Sequence, residues 1–325
     1  MLFYVKASDS YGWGHLIRTV KIIEKINKNN SCSVLIEGNE NTSHFLKKRK
    51  INIFYQIKKN FFSDKSNFEK KLKNLSPEIV FIDMLKINEN ELKFLKETGR
   101  SKIVILSDLG IGYKEANLII CPNPKELWKE KNDKRIVGGL KYVVLPKKTK
   151  LLLNKGVQKD IFVNTGGTTS KKTFEEMVKK LRFLNTLNFT GSYFLGNVDN
   201  FDPHDKKYKI TGFEYISGIK PLFKLINKYK VAFVTAGYIR YELIFFKIPM
   251  ILTSISDHQT LFGKWFKKNE ICDFVGPLEK IELNYLGKRI DHLIKKKRKN
   301  TNKKKRIINF DSYAEQRILD LCKNI

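Results

Sequence analysis

The 325-residue chain has only four cysteines, Cys32, Cys121, Cys272 and Cys322, and they lie far apart. None of them has the short spacing of a metal site, and they do not form the dense framework of a disulfide-stapled scaffold. They read as buried thiols in a reducing cytosol, so a cytoplasmic location is expected. No apolar run reaches the ~18 residues of a membrane span, and the chain starts directly on a strand-like run with no leader pattern. Acidic residues are scarce: 33 against 63 lysines and arginines, a formal net charge of +30. Such a surplus suits an anionic partner, whether nucleic acid, membrane surface or nucleotide substrate. No RNA-binding signature accompanies it, and the aromatics sit inside apolar runs, so no specific nucleic acid is expected. Lys, Asn and Ile are abundant together throughout, as AT-rich coding gives, which is the simpler account of most of the charge.

What is present is a 42% hydrophobic content, enough for real cores, in a length that suits two ordinary domains. The most informative stretch is Ser8-Asp9-Ser10-Tyr11-Gly12-Trp13-Gly14-His15-Leu16-Ile17-Arg18. The apolar run Leu2 to Val5 precedes it. A helical pattern follows, with Leu16, Val20 and Ile23 on one row and Thr19, Ile22 and Ile26 on the next. The stretch is therefore a strand-to-helix turn, with Gly12 and Gly14 where the backbone bends or approaches a ligand. His15 falls in the first helical turn, whose partial positive charge favours neutral imidazole, the form a general base needs. The same terminus can receive a phosphate. A structural histidine on an ordinary α/β turn is the bland alternative.

Strands and helices then alternate, the pattern of parallel βαβ units. Strands are expected at Cys32–Ile36, Ile51–Tyr55, Glu78–Ile82, Lys102–Leu106 and Leu118–Cys121. Helices are expected at Ser66–Leu75 and Asn88–Thr98, the latter capped by Gly99. His15, Asp83 and Asp108 thus follow the carboxyl ends of three strands, where open α/β sheets form their ligand crevice. They are the candidate catalytic group; the alternative is that each Asp merely caps the next helix. The domain boundary is placed between Pro146 and Lys159, giving domains 1–146 and 147–325.

The second half restarts with Ile161–Asn164 and the turn Thr165-Gly166-Gly167-Thr168-Thr169, whose backbone N–H groups can face a phosphate before a helix to about Leu184. A strand at Thr190–Leu195, a helix at Ile219–Asn227 and a strand at Val231–Val234 follow. Next comes Thr235-Ala236-Gly237-Tyr238-Ile239-Arg240-Tyr241-Glu242, a helix, Ile248-Pro249, a strand at Met250–Thr253 and Asp257-His258-Gln259. A helix at Leu261–Lys268, a strand at Cys272–Val275 and a last amphipathic helix at Ser312–Leu321 complete the pattern. Lys295 to Arg306 holds nine basic residues in twelve. It reads as a solvated helix end and loop, with contact to an anionic surface as the functional alternative.

The opening Gly-x-Gly-His-x-x-Arg resembles the UDP-sugar hydrolases of the pseudaminic acid pathway and their spore-coat polysaccharide relatives, which are similar in fold to GT-B glycosyltransferases. That resemblance implies two Rossmann-like parallel-sheet domains facing a cleft, with a final helix that packs back on the first domain. Departures occur at Asp83-Met84-Leu85, where the family often has Asp-His-Tyr, and at Ser107-Asp108-Leu109, where it has Asp-Asp-Leu. In the second domain Glu242, Pro249 and Gln259 match the GT-B nucleotide site, while Ala236 and Ile239 replace its first Gly and its phosphate-binding Thr or Ser. His258 stands where the hydrolases often have Asn.

The resemblance implies hydrolysis of a UDP-linked sugar at the anomeric carbon, with His15 taking a proton from water and inversion at the sugar. It assigns substrate contacts to Gly12, Gly14, Arg18, Gly166, Gly167, Gly237, Tyr238, Glu242, His258 and Gln259. Arg240 is expected to supply the phosphate contact that Ile239 cannot. No metal and no cofactor are expected. A GT-B glycosyltransferase using a UDP-sugar donor and a degenerate, non-catalytic UDP-sugar- or polyanion-binding protein are the rival readings.

Overall fold

Near-continuous runs of β-branched and aliphatic residues, such as Ile103-Val104-Ile105-Leu106, are buried on both faces, as strands sandwiched between helices must be. The computed structural model describes residues 1–7, 13–26, 32–57, 65–145, 159–198, 201–218, 225–295 and 310–325. The chain divides into two units, residues 1–146 with 310–325, and residues 147–309.

In the first unit the order is β1 (Leu2–Ala7), α1 (Gly14–Ile26), β2 (Ser33–Gly38), α2 (Glu40–Lys47), β3 (Asn52–Ile57), α3 (Lys65–Leu75), β4 (Ile79–Asp83), α4 (Glu89–Gly99), β5 (Lys102–Leu106), β6 (Leu118–Cys121) and β7 (Ile136–Gly138). The seven strands form one parallel sheet in the order β3-β2-β1-β4-β5-β6-β7. The reversal between β1 and β4 is the point at which such sheets open a crevice at the strands' carboxyl ends. Phe3, Val5 and Ala7 of β1 face a layer built around Leu16, Val20 and Ile23 of α1. Leu2 and Tyr4, on the other face, meet Leu72 of α3 and Leu92 and Leu95 of α4. The chain's last helix, α9 (Ala314–Lys323), buries Ala314, Ile318 and Cys322 in the α1 layer.

The second unit runs β8 (Lys159–Asn164), β9 (Thr168–Thr169), α5 (Lys171–Thr186), β10 (Gly191–Val198), β11 (Phe213–Ser217), β12 (Tyr229–Thr235), α6 (Ile239–Phe245), β13 (Met250–Ser254), α7 (Asp257–Lys268), β14 (Asp273–Pro277) and α8 (Leu283–Lys295). Its parallel sheet has the order β11-β10-β8-β12-β13-β14, with β9 beside β10. Phe174, Met177 and Leu181 of α5 and Leu286 and Ile290 of α8 cover one face. On the other, α7 comes so close to β14 that a Cβ on Gly263 would strike the Phe274 ring at 2.3 Å.

Several expectations need correction. The helices α2 and α8 and the strands β7 and β11 were not anticipated. Gly99 is not the cap of α4: it is the last helical residue, and Arg100 takes the left-handed conformation (φ 51°) instead. The helix expected at Ile219–Asn227 falls largely outside the described residues, and a three-residue 3-10 turn at Ile226–Lys228 overlaps its end. The basic run after Lys295 also lies outside them. Lys295 itself pairs with Asp291 at 2.7 Å.

Candidate functional site

In the first unit the site starts from α1. Trp13 is buried against Phe45, ring centroids 5.3 Å apart, and its carbonyl accepts from Ile17 N at 2.9 Å, which anchors the first helical turn. Gly14 follows on the open side: a Cβ there would meet nothing within 4 Å. His15 and Arg18, three residues apart, then lie on one face of the helix. That face meets Asp83, the last residue of β4, and Asp108, two residues beyond β5.

The four side chains form one network. His15 Nδ1 lies 2.7 Å from Asp83 Oδ1. Arg18 donates through Nε to Asp83 Oδ2 at 2.8 Å, through Nη2 to Asp83 Oδ1, and through Nη1 to Asp108 Oδ1 at 2.7 Å. Thr19 Oγ1 donates to Asp83 Oδ2 at 3.2 Å. Asp83 is fully buried and Arg18 only 3% exposed, whereas His15 keeps 20% of its side chain in solvent. Burial alone would push the Asp83 carboxyl up, but the charges of Arg18 and His15 and their hydrogen bonds hold it down to about 2. Asp108 is likewise lowered: burial opposes its ionisation, and Arg18, then His15, outweigh it.

This geometry assigns distinct tasks. His15 Nδ1 faces both Asp83 Oδ1 at 2.7 Å and Arg18 Nη2 at 3.2 Å; in the tautomer with the proton on Nδ1, Nε2 carries the lone pair. Neither aspartate caps a helix: α4, after Asp83, is capped by Asn88, and Asp108 is followed by β6 with no helix between. Arg18, expected to touch substrate, is instead buried between the two carboxylates and serves to position them. Both aspartates accept from Arg18, Asp83 through both oxygens and Asp108 through Oδ1, and Asp108 keeps 22% of its side chain in solvent. Thr19 had no local signal as a member of the site. Asn123 did not either: it is buried and donates to the Asp108 carbonyl at 2.6 Å. Gly12 lies outside the described residues.

In the second unit the Gly166-Gly167 turn does not lead straight into a helix. Gly166 (φ 124°) is held by Asn164 Oδ1 at 3.0 Å, β9 intervenes, and Ser170 caps α5 by accepting from Thr173 N. At the second turn Gly237, Tyr238 and Glu242 are partly exposed around the start of α6, which has only seven residues. Arg240 departs from its expected role. Its guanidinium is buried, donates to the carbonyls of Ala236 (2.9 Å) and Gly237 (2.8 Å), and lies over the rings of Tyr241 and Phe262 at 4.1 and 4.4 Å. It braces the turn instead of facing a phosphate. Gln259 Oε1 accepts from Ile255 N at 3.1 Å, and His258 lies beside Ser256 Oγ at 3.2 Å, so both shape the loop entering α7.

No protein-family model matches the chain. Solved structures do. A UDP-GlcNAc 2-epimerase of Methanocaldococcus jannaschii, in complex with UDP-GlcNAc and UDP, aligns over 100% of both chains with a TM-score of 0.64 at 13% identity. The MurG protein of Acinetobacter baumannii aligns over 100% of this chain and 99% of its own, with a TM-score of 0.61 at 13% identity. The fold is of the GT-B type. The S. aureus MnaA–UDP structure agrees, covering 99% of this chain and 96% of its own at a TM-score of 0.64 and 12% identity. Among curated proteins, an uncharacterised protein of M. jannaschii is 24% identical over 297 residues, 86% of this chain. The chain spans 59% of that relative's length.

Proposed function

We propose that the protein is a UDP-sugar hydrolase. The observation that carries this reading is the His15–Asp83 pair locked by Arg18. His15 Nε2 takes a proton from water, whose oxygen attacks the anomeric carbon. The bond from that carbon to the diphosphate oxygen breaks with inversion, and UDP leaves with the electron pair. Asp83 fixes the tautomer and stabilises the imidazolium that forms, while Arg18 keeps Asp83 ionised and in place. The second unit binds the nucleotide at the carboxyl edge of its sheet, with the Gly166-Gly167 and Gly237 turns toward the diphosphate and Glu242 toward the ribose. The opening motif's resemblance to UDP-sugar hydrolases supports the assignment, as does a fold shared with proteins solved with UDP or UDP-GlcNAc.

A second reading is favoured by the fold comparison itself: epimerisation at C2 of a UDP-N-acetylhexosamine, the activity named for several of the similar structures. Epimerisation removes a proton from carbon on one face and returns one on the other. In the first unit Arg18 lowers both aspartates, so each is a weaker base than an ordinary carboxylate. A single base, His15, suits one-directional attack by water, and we rank hydrolysis first on that ground.

The deciding experiment is incubation with a panel of UDP-N-acetylhexosamines, including deoxyamino sugars, in ¹⁸O-labelled water and, separately, in D₂O. Hydrolysis puts one ¹⁸O on the anomeric carbon of a free sugar, none in UDP, and no deuterium at C2. Deuterium at C2 of a recovered UDP-sugar would establish the epimerase instead. A requirement for an added acceptor alcohol would establish a transferase.

A further inference from the structure

Two buried hydroxyls at the carboxyl edge of the second sheet have no hydrogen-bond partner among the described residues, Thr235 Oγ1 and Thr168 Oγ1. Thr235 ends β12 and is fully buried; Thr168 follows the glycine turn that leaves β8, the strand next to β12. An unpaired buried hydroxyl destabilises the free protein, so native structures carry few and each needs a reason.

The neighbouring backbone supplies one for Thr235. Gly237 is not in the left-handed region, so its backbone conformation does not demand glycine. A Cβ built on it would have one neighbour, Thr235 Oγ1 at 3.9 Å, and otherwise open space. Packing therefore does not demand glycine either. The open face of Gly237 therefore lies at contact distance above the orphan hydroxyl, and a glycine there lets a ligand come close to the backbone over it. Ile239 is apolar, the Arg240 guanidinium donates to the Ala236 and Gly237 carbonyls, and α6 is too short to offer much of a dipole.

We propose that Thr235 is a phosphate-binding residue, whose hydroxyl donates to a diphosphate oxygen of a nucleoside diphosphate seated over Gly237. Because Oγ1 is shut off from solvent, binding shifts the Gly237 turn slightly, and glycine has no side chain to displace. This rests on the reading that the second unit holds a UDP-sugar.

The test uses the full chain and its Thr235→Val and Thr235→Ser variants. UDP and uridine are titrated calorimetrically, and the ligand-free proteins are melted. Loss of a charge-assisted hydrogen bond is expected to weaken UDP binding by roughly 10- to 100-fold in Thr235→Val. Uridine binding should not change, and Thr235→Ser should retain UDP. Ligand-free Thr235→Val should melt at the same temperature or higher, since it loses an unpaired buried hydroxyl; a merely structural threonine would move the other way. UDP affinity within threefold of the parent in Thr235→Val, or a clearly lower melting temperature, overturns the proposal and leaves the nucleotide reading standing. A parent protein that binds neither UDP nor uridine overturns both.

Discussion

Replacing Asp83 by asparagine removes the anion on which the first unit's site is built. The native carboxyl is lowered from 3.8 to about 2. At 1.36 kcal/mol per pH unit, that difference is worth about 2 kcal/mol of folding stability. The sign follows from the direction of the shift. A depressed carboxylate contributes its full stabilisation above its unfolded value near 4 and loses it as pH falls through the folded value near 2. The asparagine variant cannot titrate, so it should lack this component. It also leaves the buried Arg18 with Asp108 as its only anion in the network, and loss of one partner of a buried pair costs about 3–5 kcal/mol. Urea denaturation of both proteins at steps from pH 7 to pH 2 measures this. The gap between them should be about 3 kcal/mol or more at pH 7 and should narrow by about 2 kcal/mol between pH 5 and pH 2. Other lowered carboxylates, such as Asp133 and Asp311, are common to both proteins and cancel in the difference. A gap that stays constant across that range would refute the argument that Arg18 and His15 hold Asp83 ionised.

Three further outcomes are expected. His15→Gln keeps a donor toward Asp83 but no base, so UDP release should fall by about 10²–10⁴-fold while UDP still raises the melting temperature. Gly14→Ala adds a methyl to open space in the first turn of α1, so the unfolding midpoint should hold or rise slightly, by at most ~1 kcal/mol. Under the proposed hydrolysis, with substrate reaching His15 over this open face, kcat/KM should nonetheless drop. Arg240→Met removes the brace from the Ala236 and Gly237 carbonyls and should destabilise the protein by about 2 kcal/mol in urea, a loss that saturating UDP does not restore in full.

The parts of this architecture that sequence pattern could reach were those governed by two-sided burial. Lys102–Leu106 and Leu118–Cys121 are strands to the residue, because apolar runs of that length between turn residues have few other uses. From those strand ends His15, Asp83 and Asp108 follow as neighbours. The bonding among them does not follow. An arginine in the second turn of a helix is ordinarily a surface residue, and nothing near Arg18 in sequence announces two carboxylate partners 65 and 90 residues away. Arg240 misled for the same reason, since its partners are backbone carbonyls that carry no sequence signal. The missed elements were short or locally polar: β7 has three residues, and α2 depends on Asn39 capping Thr42 N more than on an apolar stripe.

The placement of α9 has a consequence for biogenesis. Ala314, Ile318 and Cys322 complete an apolar layer whose remainder is drawn from the first 146 residues. A ribosome delivers them only after the entire intervening unit has emerged. The first unit must therefore wait, with part of its interior uncovered, until α9 arrives to seal it.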